Sequence, residues 1–283
     1  MILKSLRTYF NNALLGYYPE NEIESFFNLL SEKILKMKRV DIVLNLYKVV
    51  LGKKYDKFQI AIDRLKKYEP IQYILGDTVF CGLNFKVNNA VLIPRPETEE
   101  LVDWIIKDNI SKTSINILDI GTGSGCIPIT LAKNLPNAKL YSVDISKDAL
   151  KLAKENAKKN EVEVNFIKAD ILNDSLNFED MTFDIIVSNP PYVRQSEKSL
   201  MKENVLNYEP HLALFVDDED AFVFYKRIVE LSDTLLKQEG SLYFEINEGL
   251  GEGTMNVMNN RFKNVELRKD INGKDRMIKG IRL

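Results

Sequence analysis

The sequence predicts an α/β protein in which a small all-α segment and a β-hairpin precede a mostly parallel sheet with helices on both faces. Three observations predict it. The first 70 residues hold almost no glycine and carry apolar side chains at helical spacing. From residue 115 onward, apolar β-branched runs alternate with stretches of helical period, the pattern of βαβ units. Between the first such run and the helix after it lies Gly121-Thr122-Gly123-Ser124-Gly125, a turn of the kind found at the carboxyl end of a strand.

In the helical segment, Ile23, Phe26, Phe27, Leu30, Ile34 and Leu35 form one stripe, and Phe58, Ile62 and Leu65 form another. Both are expected to face a core. Asp41 and Asp56 are expected at helix starts. Pro70 closes the section. Val79, Cys81, Phe85 and Val87 then alternate about Gly82, which predicts a ribbon over about residues 76–89 with its turn near Gly82 to Asn84. Pro94 and Pro96 hold Arg95 extended ahead of a helix whose Leu101, Val102 and Ile105 are expected to be buried. The domains read from this pass are a helical domain over 1–75, a hairpin linker over 76–89 and a sheet domain over 90–283.

Within the sheet domain, residues 115–120, 138–145, 162–170 and 183–189 read as strands, with helices after the first and second, the latter capped by Ser146. A helix over 220–236 precedes a strand at 241–247. Two further strands, 265–270 and 276–283, flank Asn272-Gly273, a hairpin dipeptide.

The 283 residues carry 39 Lys and Arg against 41 Asp and Glu, a formal charge of -2, so no basic excess is available for bulk attraction to nucleic acid. Cys81 and Cys126 cannot staple a small secreted fold, and with His211 they fall short of a metal ligand set. No apolar run approaches the roughly 20 residues needed to cross a bilayer, and the first residues lack a secretory pattern. A cytoplasmic protein with no membrane or metal partner is expected.

The chemistry gathers at strand ends. The glycine turn, with Asp119 just before it, allows close backbone approach to a ligand. Asp144 ends the next strand, where a carboxylate accepts hydrogen bonds from ribose hydroxyls, and Asp170 is expected to end the third strand and meet the adenine edge. Taken singly, Asp144 and Asp170 are equally well read as turn residues. A dinucleotide fingerprint would place Gly or Ala where Cys126 stands, so the set fits S-adenosyl-L-methionine better than a nicotinamide cofactor.

The fourth strand runs into Asn189-Pro190-Pro191-Tyr192. Two prolines stiffen this corner and leave carbonyls unpaired. The nitrogen of an amide or aromatic amine has a delocalised lone pair and attacks poorly unless oriented. The Asn189 side-chain oxygen and the Pro190 carbonyl can each accept one N–H of such a group, while Tyr192 packs against its plane. Holding reactants in that pose supplies up to about 7–11 kcal/mol at the limit.

With these residues in view the chain resembles the HemK/PrmC family, N5-glutamine methyltransferases of class-I peptide chain release factors. The segments that carry the resemblance are PIQYILG at 70–76, VLIPRPETEELV at 91–102, ILDIGTGSGCI at 117–127, SNPPY at 188–192, YEPHLALF at 208–215 and the closing DINGKDRMIKG. The resemblance implies a seven-stranded Rossmann-like (class I) methyltransferase domain, a helical domain that docks the release factor, and a substrate glutamine from its GGQ loop. It also implies that Gly121, Thr122, Gly123, Ser124, Gly125, Asp144 and Ile171 contact S-adenosyl-L-methionine. Asn189 would bridge cofactor and substrate, with Pro190, Pro191 and Tyr192 holding the glutamine. The loop over 172–182 varies among family members. The loop with Arg95 and Glu97 is expected to border the pocket.

His211 is read as structural or at the surface, and Cys126 as a small buried side chain rather than an activated thiol. Rival readings are a nucleic-acid amino-methyltransferase (adenine N6 or guanine N2), a noncatalytic S-adenosylmethionine-binding module, and a dehydrogenase that Cys126 disfavours.

Overall fold

The computed structural model describes residues 1–174, 176, 178 and 181–283. Residues 175, 177, 179 and 180, within the stretch 172–182, lie outside the described residues. The chain forms two compact units, Met1–Gly76 with Lys202–Tyr208 and Asp77–Met201 with Glu209–Leu283.

The helical unit holds α1 (Leu3–Leu14), α2 (Glu20–Leu35), α3 (Arg39–Leu44), α4 (Lys53–Leu65) and α5 (Ile71–Leu75). Each long helix turns one apolar stripe inward, and the rings of Phe10, Phe27 and Phe58 meet at its centre, the first two edge-on at 5.5 Å. Burying a Phe or Leu side chain contributes about 1.5–3 kcal/mol. Such burial, rather than propensity, holds helices this short. Asp41 and Asp56 stand at helix starts as expected, though not as the caps themselves. The N-caps are Lys38 and Gly52, and both acids sit within the first turn, where the Asp41 carboxylate accepts the Lys38 N–H at 2.9 Å. Their charge still favours the positive end of the helix dipole. Residues 202–208, read from sequence with the sheet domain, belong to this unit, and the Tyr208 hydroxyl donates to the Lys67 carbonyl at 2.7 Å.

The sheet unit opens with the hairpin β1 (Asp77–Phe80) and β2 (Leu83–Lys86), followed by α6 (Pro96–Asn109). The core of alternating elements runs β3 (Ile115–Ile120), α7 (Cys126–Asn134), β4 (Ala138–Asp144), α8 (Lys147–Lys159), β5 (Asn165–Lys168) and β6 (Phe183–Ser188). After β7 (Val193–Arg194), and the short helix α9 (Glu203–Tyr208) of the other unit, come β8 (Phe215–Val216), α10 (Val223–Leu235) and β9 (Leu236–Glu245). Helix α11 (Gly251–Met258) and the pair β10 (Phe262–Lys269) and β11 (Asp275–Arg282) end the chain.

Seven strands form one sheet in the order β10-β11-β9-β6-β3-β4-β5, with β11 antiparallel to both neighbours and the rest of the pairings parallel. Strands β3 and β6 lie between neighbours and under helices on both faces, which is why INILDI and FDIIVS are almost continuously apolar. Trp104, Ile105 and Ile129 cover one face, and Tyr225, Val229 and Ile228 the other.

Several boundaries differ from the sequence reading. The hairpin turns at Cys81-Gly82, one residue earlier than expected, with both residues at positive φ. Strand β5 starts only at Asn165, because Glu161 takes a left-handed turn after α8 and Val162 returns its N–H to the Ala157 carbonyl. The strand ends at Lys168, and Asp170 lies in the turn beyond it. Strand β9 begins at Leu236, where it pairs with Phe183, rather than at Ser241, and α11 had no counterpart in the sequence reading.

Gly125 sits at φ 82°, and a Cβ there would lie 2.8 Å from Ile129 Cδ1 and 3.1 Å from Ala153 Cβ. Helices α7 and α8 thus close on bare backbone. Gly125→Ala is expected to cost about 1–3 kcal/mol through the left-handed backbone and the crowding, read as a lower urea midpoint at unchanged m-value.

Candidate active site

The order of the sheet reverses at β3: the chain builds β4 and β5 on one side and then crosses to β6 on the other. Loops leaving β3 and β6 diverge, and a cavity of about 300 Å³ opens at the carboxyl ends of β3, β4 and β6. Gly121, Thr122, Gly123, Ser124, Asp144, Asp170, Ile171, Asn189, Pro190 and Pro191 all line it.

The glycine turn is held from three directions. Gly121 and Gly123 have φ of 83° and 51°, and the Gly121 N–H donates to the Val143 carbonyl at 2.8 Å. The Asp144 carboxylate accepts the Gly123 N–H on one oxygen and the Ser146 N–H on the other, each at 2.8 Å. Each oxygen keeps a lone pair for a ligand hydroxyl. Burial raises this carboxyl above its ordinary range, against the pull of those two N–H groups. From α8, the Asn156 amide donates to the Ser124 carbonyl at 2.9 Å and to the Lys86 carbonyl at 3.0 Å, so the hairpin braces the turn.

Asp119 lies beneath the turn, fully buried. One oxygen accepts the Ser142 hydroxyl at 2.7 Å, and the other has no donor among the described residues. Burial pushes its carboxyl up to about 7, with the Ser142 and Thr122 hydroxyls opposing. The Asp170 oxygens are occupied within their own turn, one by the Leu172 N–H at 3.0 Å and one by the Asn173 amide at 2.7 Å. Ile171 is buried behind it, its carbonyl bonded by Arg227.

At the corner, the Asn189 amide donates to the Thr98 hydroxyl oxygen at 3.3 Å. No donor among the described residues reaches the Pro190 carbonyl or the Asn189 side-chain oxygen. Tyr192 does not line the main cavity. Its hydroxyl turns inward to the Glu245 carboxylate at 3.3 Å, and the residue borders a neighbouring polar pocket with Arg194 and Asn247. Glu245, at the end of β9, also accepts the Thr98 hydroxyl at 2.6 Å. Burial pushes Glu245 up to about 6, while the Thr98 hydroxyl, Arg276 and the Tyr192 hydroxyl pull it down.

Arg95 lines the cavity and donates at 2.6 Å to Glu209, whose other oxygen accepts the Ile93 N–H at 3.0 Å; Glu97 is not in the lining. Glu209 is 3% exposed, so it clamps the proline loop from inside. His211 packs edge-on against Phe215 at 5.1 Å. Burial pushes the Cys126 and Cys81 thiols up to about 12, the reverse of an activated thiolate. Thr98, Asn156, Glu209 and Glu245 escaped the sequence reading. The one local signal among them was Glu245, a carboxylate at the end of the apolar run SLYF.

A family model described as the methyltransferase small domain matches residues 98–212, and one described as the PrmC N-terminal domain matches residues 6–76. A release factor glutamine methyltransferase of Flavobacterium psychrophilum is 52% identical over 99% of this chain and 99% of its own length. The protein of that name from Bacteroides thetaiotaomicron is 44% identical over 98% of this chain and 99% of its own. Among solved structures, the hMettl16 catalytic domain in complex with MAT2A 3'UTR hairpin 6 matches with a TM-score of 0.55 at 16% identity, covering 81% of each chain. A methyltransferase from Pyrococcus furiosus gives 0.51 at 17% identity, covering 71% of this chain and 89% of that one. These two show the fold: a class I methyltransferase sheet.

A carboxyl raised on folding stabilises the fold at low pH and loses that contribution as pH rises through its folded value. Asp119 thus costs stability increasingly as pH rises from the ordinary carboxylate range to about 7, and in full above that. Thermal melts of Asp119→Asn should show a gain over the parent at pH 8 that shrinks at pH 5, and an equal melting point at both would refute the raised carboxyl.

Proposed function

The chain belongs to the family of release factor glutamine methyltransferases, and on that premise we propose which residues carry methyl transfer from S-adenosylmethionine to the N5 amide nitrogen of a release-factor glutamine. The observation that supports this most is that the corner Asn189-Pro190 lines the same cavity as the glycine turn and Asp144. The residues present suit the methyl donor. Bare backbone at Gly121 and Gly123 admits close approach, the spare lone pairs of Asp144 suit ribose hydroxyls, and Ile171 offers an apolar flank for adenine.

When bound, S-adenosylmethionine supplies a methyl group on a sulfonium, already activated as an electrophile, so the protein's task is orientation. The Asn189 side-chain oxygen and the Pro190 carbonyl accept the two N–H bonds of the glutamine amide. Those bonds turn the nitrogen toward the cofactor side of the cavity and strengthen as positive charge develops on it. Pro190 and Pro191 fix the backbone of that acceptor pair. Tyr192 acts here as a support of the corner through its bond to Glu245.

The release factor, class I and presented by its GGQ loop, is the protein partner in this reading. Its docking falls on the helical unit, where Val40, Leu44 and Tyr47 on and after α3 are 68%, 76% and 75% exposed, an apolar surface of the kind that interaction sites use. That partner places the protein in the cytoplasm, and no helix among the described residues is long and apolar enough to cross a membrane.

Incubation with full-length release factor and S-adenosylmethionine is expected to add one methyl mass to the GGQ peptide. Asn189→Ala should lower kcat by about 100-fold or more while calorimetric cofactor affinity stays within about threefold. Asp144→Ala should do the opposite, weakening cofactor binding by about 10–100-fold. Methyl transfer to RNA or DNA but not to release factor would overturn the substrate.

A further inference from the structure

We infer that Thr98 and Glu245 are positioning residues that decide which end of the Asn189 amide faces the substrate. The inference rests on the role of Asn189 proposed above and deepens it.

An asparagine amide is nearly symmetric in shape, but its two ends are opposite in hydrogen-bonding character. If the NH2 end faced the cavity it would meet the N–H groups of the glutamine donor to donor, and the corner would no longer orient the nitrogen for attack. Nothing within the Asn189-Pro190-Pro191 backbone forbids that flip. The choice is made by hydrogen-bond logic behind the corner. Ionised Glu245 can only accept, so at 2.6 Å it takes the single proton of the Thr98 hydroxyl. With its proton committed, Thr98 can only accept from Asn189, and the contact at 3.3 Å must be made by the NH2 end. The oxygen end is left facing away from Thr98, with no competing donor among the described residues.

The relay joins three segments of chain: the first turn of α6, the corner after β6 and the end of β9. Thr98 is 2% exposed and Glu245 1% exposed, so water does not compete for these bonds. The second Glu245 oxygen is held by the Tyr192 hydroxyl at 3.3 Å. The other charged or titratable groups that face Glu245 are Arg276, which favours its ionised form, Glu97, which opposes it, and Tyr225 and Cys126, both kept neutral by burial. The balance leaves Glu245 up at about 6. Below that pH it acquires a proton of its own, can donate to Thr98, and no longer dictates the sense of the relay.

The test is the isosteric Thr98→Val beside Thr98→Ser, assayed for methylation of full-length release factor. Thr98→Val is expected to lose about 10–100-fold in kcat, with cofactor affinity and release-factor KM within about threefold, and Thr98→Ser to stay within about threefold of the parent. A Thr98→Val enzyme with parental kcat would overturn the inference, and so would equal losses in both variants. Should Thr98→Val melt below the assay temperature, Glu245→Gln decides. The parent should show an acid limb in kcat with a midpoint near 6, and Glu245→Gln should lack it; a limb that persists counts against the relay. Failure of the underlying reading looks different: the parent itself would not methylate release factor, or Asn189→Ala would be fully active.

Discussion

The pairing of β3 with both β4 and β6 is the constraint from which the site follows. Strand β3 is hydrogen-bonded on both sides to neighbours laid down in opposite directions of winding, and α7 and α10, the long helices that follow β3 and β6, pack on opposite faces of the sheet. The loop after β3 lifts off at the carboxyl end of the sheet. It does so through positive-φ glycines, and the Ser188 hydroxyl, bonded to the Ile120 carbonyl at 2.7 Å, keeps the ends of β3 and β6 side by side while their continuations part. Glycine turn and proline corner thereby come to line one cavity.

Beneath that opening the protein keeps polar groups in its interior. A buried carboxylate costs several kcal/mol unless it is well bonded. Glu245 meets the requirement with two hydroxyls, and Glu209 with a guanidinium and a backbone N–H. Asp119 meets it only in part. The layer therefore combines satisfied anchors, which immobilise the loops around the cavity, with one carboxyl only partly bonded below the glycine turn.

Much of this was legible in the sequence where neighbours in the chain set the structure. The glycine turn, Asp144 at its strand end and the proline corner are local motifs, and each stands where strand-helix alternation put it. The supports were not legible because their partners are remote: Thr98 and Glu245 are 147 residues apart, Arg95 and Glu209 are 114, and Lys86 and Asn156 are 70. No periodicity encodes such pairs. Other differences arose from local competition. Asp170 closes an apolar run that predicts a strand end, but its side chain bonds the backbone two residues on and closes a turn instead. Lys237 to Gly240 lack the apolar signal of a strand, and β9 extends through them because Leu236 pairs with Phe183 at the far end of the sheet.

The path of the backbone between the two units has a further implication. Residues 202–208 fold with the helices although the chain on either side of them belongs to the sheet unit, so the polypeptide passes from one unit to the other after Gly76, after Met201 and after Tyr208. The helical part is therefore not a detachable prefix. Exchanging it with that of a relative means transplanting a second, distant stretch as well, and recombination at a single junction would leave each chimera with a fragment of the wrong parent.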